Sequence, residues 1–253
     1  MPVCTVVVSF VPREPVPLLL LGFRDELAAR PWKPPARHWP GSPLVGGFDE
    51  QAGGTWLAVH PGIARVSCIL NGRGGQAPQA SRRSRGELPL LAADKGREAL
   101  ASLHEDRERL AAYDPFHLVH ADVTEVTLLS WDGHAATLTE LAPGTHMITN
   151  AGLTPDDPKV RHFGARFAAD RPSGAPGVPV AQAWHPWLKL AEGDGLPVGD
   201  PRAIRAHKTL PDGRVWGTTS ISLVALGQAA GLRYDFQALP DETAPRPVGE
   251  LPA

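Results

Sequence analysis

The chain has 253 residues, enough to bury a substantial core as one large domain or two small ones. With 42% hydrophobic and 21% charged residues, and 25 basic against 27 acidic side chains, it carries a net charge of −2, which excludes a global electrostatic footprint for nucleic acid or a membrane surface. The longest apolar run, Val16 to Phe23, has eight residues where a membrane helix needs about 20, and it lacks the flanks of a signal peptide. Two cysteines are too few for a disulfide framework, so a soluble, cytoplasmic protein is expected. Arg far exceeds Lys and Ala is abundant, the bias of a high-GC genome, read here as bacterial.

Residues 3–10 read as a strand, with Cys4, Val6, Val8 and Phe10 on one face by period-two alternation. Arg13-Glu14-Pro15 turns the chain, and residues 16–23, apolar on both faces, read as a second strand buried on both sides and antiparallel to the first. The prolines of residues 30–43 predict an irregular loop that packs down through Trp32 and Trp39. Residues 54–59 and 63–70 predict a hairpin about His60-Pro61-Gly62, and residues 75–85 a mobile basic loop. Residues 86–112 carry apolar side chains at helical spacing, predicting one amphipathic helix with Gly96 as its weak point. Strands are predicted at 116–120, 125–131, 135–141 and 145–150, the middle pair joined by Asp132-Gly133. Helices follow at 158–169 and 180–192, then strands at 214–226 and 231–237, and a loosely held tail at about 240–253. Strands joined by hairpins, with helices between the runs, predict an α+β fold of antiparallel sheets in a single domain spanning 1–253.

Phosphate-loop, dinucleotide-binding and nucleophile-elbow motifs are absent from the sequence. His117 and His120 flank a strand with Asp122 nearby, but positions three apart on a strand point to opposite faces, so no metal is expected. What remains is Cys4, with Arg24 and Asp25 directly after the second strand. A thiol is nucleophilic as thiolate, and a guanidinium beside it would favour that form, with Asp25 orienting Arg24 or a nearby ammonium. From the residues alone, Cys4 reads more readily as a small buried hydrophobe, and Arg24-Asp25-Glu26 as a charged helix start.

The set Cys4-Thr5-Val6-Val7-Val8, Leu20 to Glu26, Ala29-Arg30-Pro31, Gly53 to Ala58, Asn71, Ser84 to Leu88 and Thr149-Asn150-Ala151 resembles the NRDE family, also called transport and Golgi organisation 2. The likeness is good over residues 4–160 and weaker at Gly217-Thr218-Thr219-Ser220. It implies an N-terminal-nucleophile-hydrolase-like four-layer αββα sandwich and a cysteine amidohydrolase or acyltransferase acting on a small amide, thioester or ester, with no cofactor. Carried over by residue, Cys4 would be the nucleophile, Arg24 and Asp25 its organisers, and Asn71 and Asn150 oxyanion donors. The resemblance also leaves open a non-catalytic carrier of haem or an acyl-CoA-type lipid, with Trp32–Trp39 and Trp184-His185-Pro186-Trp187 lining its cleft, or an enzyme of specialised biosynthesis. The sequence departs from the family in two places. Phe23 stands where the family has Asn, and Met1-Pro2-Val3 precede Cys4, whose α-amine the related acylases use as base.

Overall fold

A computed structural model of the chain describes residues 4–197, 199–228 and 231–249. They form two compact units, the first within residues 4–30, 143–149 and 153–249, the second within 31–142 and 150–152. Each unit is built on one seven-stranded antiparallel sheet, which gives the α+β class expected from the strand pattern.

In unit one, β1 (Thr5–Phe10) and β2 (Leu18–Leu27) form a hairpin in which Thr5 faces Phe23 and Phe10 faces Leu18. β10 (Gly144–Thr149) pairs with the other edge of β1, bringing Thr149 opposite Thr5. β12 (Val215–Gly227) lies against β2, β13 (Gly231–Ala238) against β12, and β14 (Arg246–Pro247) against β13. The short β11 (His207–Thr209) pairs with the start of β12. β2 does not stop at Phe23 as the apolar run suggests. It continues through Arg24, Asp25 and Glu26 because β12 supplies ladder partners there. Of the expected loose tail, residues 250–253 lie outside the described residues, and Val248 N–H reaches Tyr234 O next to β14.

One face of this sheet is covered by α4 (Pro158–Ala169), α5 (Val180–Ala183) and α6 (His185–Ala191). Phe163 and Phe167, one helical turn apart, pack with Trp184 and Trp187 onto Val7, Leu21 and Phe23. Each buried indole finds an acceptor: Trp187 Nε1 donates to Phe167 O at 3.1 Å and Trp184 Nε1 to Asp235 Oδ2 at 2.7 Å. Both tryptophans are therefore core, not cleft lining. The single helix expected over 180–192 is two, because Pro186 lacks an N–H and starts α6 afresh.

Unit two is a meander in chain order: β3 (Trp32–Ala36), β4 (Val45–Asp49), β5 (Leu57–His60), β6 (Arg65–Asn71), β7 (Phe116–Ala121), β8 (Val126–Trp131) and β9 (Ala136–Glu140). The Pro-rich segment expected as a loop contains β3, which proline tolerates because it is an edge strand with a register irregularity between Lys33 and Ala36. The single helix expected over 86–112 is three: α1 (Leu88–Lys95), α2 (Arg97–Glu105) and α3 (Arg107–Leu110). Gly96, at φ +70°, makes the first break, and Asp106 caps α3 by accepting from Arg109 N–H. The basic cluster is pinned, with Arg82 on Ala77 O, Arg83 on Glu87 and Arg85 on Pro115 O. Two of the recurrent motifs meet here: a Cβ on Gly54 would stand 2.4 Å from the Gly86 backbone, and Thr55 N–H donates to Gly86 O at 2.9 Å. Among the described residues no helix is long and apolar enough to cross a membrane.

Phe167 is fully buried between a helix and a tryptophan ring. Phe167→Ala should lower unfolding free energy by roughly 3–5 kcal/mol through lost contacts and the cavity left behind. A urea titration showing an unchanged midpoint would contradict that packing.

Candidate functional site

The β1–β2–β12 ladder sets the geometry around Cys4. Extending the pairing beyond Thr5 and Phe23 brings Cys4 beside the strand segment carrying Arg24 and Asp25. The thiol is clamped to backbone: Asp25 N–H donates to Cys4 Sγ at 3.3 Å, and Sγ–H donates to Asp25 O at 3.5 Å. Successive strand side chains leave opposite faces, so Arg24 and Asp25 diverge, and each is held by its own threonine of β12. Thr218 Oγ1 donates to Asp25 Oδ1 at 2.6 Å, and Arg24 Nη1 donates to Thr219 Oγ1 at 2.9 Å. Pairing skips from Thr218–Asp25 to Ser220–Arg24, leaving Thr219 as the extra residue of an irregularity that lets two adjacent threonines serve two adjacent charges. Both charges are anchored on β12, and the Asp25 carboxylate also acts on the Lys159 ammonium.

A further cation completes the cluster. Lys159 lies in the first turn of α4, 6% exposed, and its Nζ donates to Thr5 Oγ1 at 3.4 Å. Asp157 caps that helix by accepting from Lys159 N–H at 2.9 Å and from Thr149 Oγ1 at 2.9 Å, which fastens the helix start to the end of β10. Burial lowers the Lys159 pKa from its ordinary value, opposed by the charges of Asp25, Cys4 and Asp157. Sequence reading missed Lys159 because its partners lie on β1 and β2, and the only local signal was the Asp157-Pro158 helix start.

The thiol itself departs from expectation. Burial first, and the Asp25 carboxylate second, push Cys4 up to about 12, while the Asp25 N–H and Arg24 pull the other way without prevailing. Cys4 therefore rests as a neutral thiol at pH 7. Phe23, in the position of the family's asparagine, is 2% exposed and packs in the helix-side core.

The two asparagines belong to unit two. Asn71 ends β6 opposite Phe116, and Gly72 after it lies so near that strand that a Cβ would stand 2.6 Å from Phe116 N. Asn150 has a buried Oδ1 with no hydrogen-bond donor, and its backbone bonds His117. His117 Nδ1 pairs with Ser130 Oγ at 2.9 Å, whereas His120 is fully buried, held down to about 4 by burial. The two histidines thus occupy separate environments, as period-two alternation requires. Cys68 is a buried residue of β6.

Two antiparallel sheets with helices, and a cysteine heading a β-ladder among buried charges, define an α+β protein with a polar thiol cluster in its first unit. The family model of transport and Golgi organisation 2 matches residues 3–171, and the chain belongs to that family. Among curated proteins no sequence matches. Among solved structures the chain is similar to a Caenorhabditis elegans N-acylethanolamine-hydrolyzing acid amidase ortholog, at 11% identity and TM-score 0.42 over 97% of this chain and 100% of that one.

The raised thiol pKa sets a checkable reactivity. Iodoacetamide should alkylate Cys4 slowly at pH 7–9 and faster only as pH climbs toward 12. An alkylation midpoint near the free-thiol value of about 8.5 would contradict the dominance of burial and Asp25.

Proposed function

We propose that this protein is a thiol-dependent acyl-group hydrolase or acyltransferase acting on a small amide, thioester or ester, with Cys4 as nucleophile and Lys159 as its base. The observation that carries the reading is a buried amine, Lys159, bonded to Thr5 next to the half-buried Cys4 and subject to the charges of Cys4 and Asp25. Lys159 offers an amine that can take the thiol proton while the Cys4 nitrogen is joined to Val3. Burial brings Lys159 nearer to neutrality than a free lysine, and general-base transfer is most effective when the base is matched to its task.

The step runs as follows. Neutral Lys159 accepts the Cys4 proton, the thiolate adds to the acyl carbonyl, and the resulting ammonium returns the proton to the leaving amine, thiol or alcohol. Water or a second nucleophile then attacks the acyl-cysteine, its proton passing to Lys159, and the thiol is released. Arg24 supplies fixed positive charge near the sulfur, and Asp25 holds the backbone that clamps it.

Incubation with short-chain acyl thioesters and p-nitrophenyl esters, followed by mass spectrometry, should place an acyl adduct on Cys4, absent in Cys4→Ala. Lys159→Met should lower kcat about 10²–10⁴-fold, the usual worth of general acid–base catalysis, and Lys159→Arg should not restore it. In the wild type kcat/KM should rise with pH as Lys159 loses its proton, below the ordinary lysine range, and Lys159→Met should lose that limb. Turnover surviving in Cys4→Ala would rule out the thiol; an unaltered pH profile in Lys159→Met would rule out the base. N-terminal sequencing of the active protein separates this mechanism from one in which cleavage before Cys4 frees its own amine.

A further inference from the structure

The turn after β7 gathers three groups that the thiol chemistry does not use. His120, at the end of β7, is 0% exposed, and neither ring nitrogen has a hydrogen-bond partner among the described residues. An imidazole buried with both nitrogens unsatisfied forfeits their hydration without replacement, so it calls for a partner that the described residues do not supply. Its neighbours are Asp122 and Glu125 of the β7–β8 turn: one ligand-capable atom from each of the three residues lies within 4.8 Å of the others.

Each carboxylate has one oxygen committed and one available. Asp122 Oδ1 accepts from Thr124 N–H at 2.7 Å, Thr124 Oγ1 at 2.6 Å and Glu125 N–H at 3.1 Å, which fixes the turn and leaves Oδ2 free of those bonds. Glu125 Oε2 accepts from Arg97 Nη1 at 2.6 Å, a bond that does not engage Oε1. These contacts orient the two carboxylates as outer partners orient metal ligands elsewhere. Thr127 faces His120 across the β7–β8 ladder, so its side chain shares that face, and its Oγ1 is also buried and unpaired. Around the turn, Asp122, Glu125 and Glu140 outnumber the guanidiniums of Arg97 and Arg65, so the cluster is net negative and suited to a cation.

We propose that His120, Asp122 and Glu125 bind one divalent transition-metal ion at the β7–β8 turn. One imidazole and two carboxylate oxygens match the nitrogen and oxygen ligands of zinc, whose bonds of about 2.0–2.2 Å put ligand atoms roughly 3.3 Å apart in a tetrahedron. The ligand-capable atoms, within 4.8 Å of one another, would have to draw together to that spacing on binding. The fourth position falls to Thr127 or water. Calcium and magnesium prefer all-oxygen sites and gain little from the imidazole, so the site discriminates against them.

The test uses the full chain, freed of metal by chelator and dialysed. Calorimetric titration with zinc chloride should give one saturable site, Asp122→Asn and Glu125→Gln should each weaken it by about 10- to 100-fold or more, and excess magnesium should not compete. Cys4→Ser should bind as the wild type does. Cobalt(II) should give visible d–d bands of a four- or five-coordinate ion, with no thiolate charge-transfer band in the near ultraviolet. His120→Asn should abolish binding; the two turn variants decide the matter if that variant does not fold. Absence of a saturable site, zinc binding that survives both turn variants, or a thiolate band on cobalt would each overturn the proposal.

Discussion

Three charged side chains buried at one end of a β-ladder impose the main constraint on unit one. Arg24, Asp25 and Lys159 are each no more than 6% exposed. Removing a charge from water costs several kcal/mol unless hydrogen bonds and opposite charges replace the hydration. The ladder meets that demand by bringing Thr218 and Thr219 to the strand charges and Thr5 to the lysine. Each hydroxyl is itself fixed in a strand, so the polar cluster and the β1–β2–β12 register specify one another. A one-residue slip of β12 would exchange its faces, burying threonine against phenylalanine and leaving both charges unsatisfied.

What the sequence conveyed follows from how local each signal is. The alternation in β1, the apolar run of β2 and the 3.6 period of α4 are local, and all three are where the pattern puts them. β3 was illegible because proline argues against a strand unless that strand is an edge, and being an edge is a property of the whole sheet. The continuation of β2 through Arg24-Asp25-Glu26 was illegible for a related reason: its partners arrive from β12, some 190 residues later. The breaks at Gly96 and Pro186 had visible residues behind them, yet apolar periodicity ran across both and concealed the ends.

The candidate thiol site shows the same division more sharply. Recurrent motifs located Cys4, Arg24 and Asp25, and strand pairing brings them together. Their electrostatics were not readable, because the sign of the net effect on a thiol depends on distances and burial. Arg24 does favour the thiolate, but desolvation and the Asp25 carboxylate outweigh it. Lys159 gave only the signal of a helix start, since a single lysine there is ordinarily solvated. Gly217-Thr218-Thr219-Ser220 gave a signal without a meaning until the irregularity at Thr219 aligned both hydroxyls with their charges.

The resting state of the cluster bears on why a lysine suits this position. An α-amine has a free pKa of about 7.7–8.0 and is substantially neutral near pH 8, whereas a free lysine near 10.4 is not. A lysine can replace the α-amine as base only if its surroundings disfavour the ammonium. Burial at the start of α4 supplies that effect, aided by the positive end of the helix dipole. Asp25 and Asp157 temper it, and their presence keeps the buried amine from being lost as a cation altogether. In the proposed step, the same carboxylate that raises the thiol pKa would stabilise the ammonium formed when the thiol gives up its proton. A neutral thiol at rest and a thiolate–ammonium pair under attack would then be two states of one cluster, coupled by Asp25.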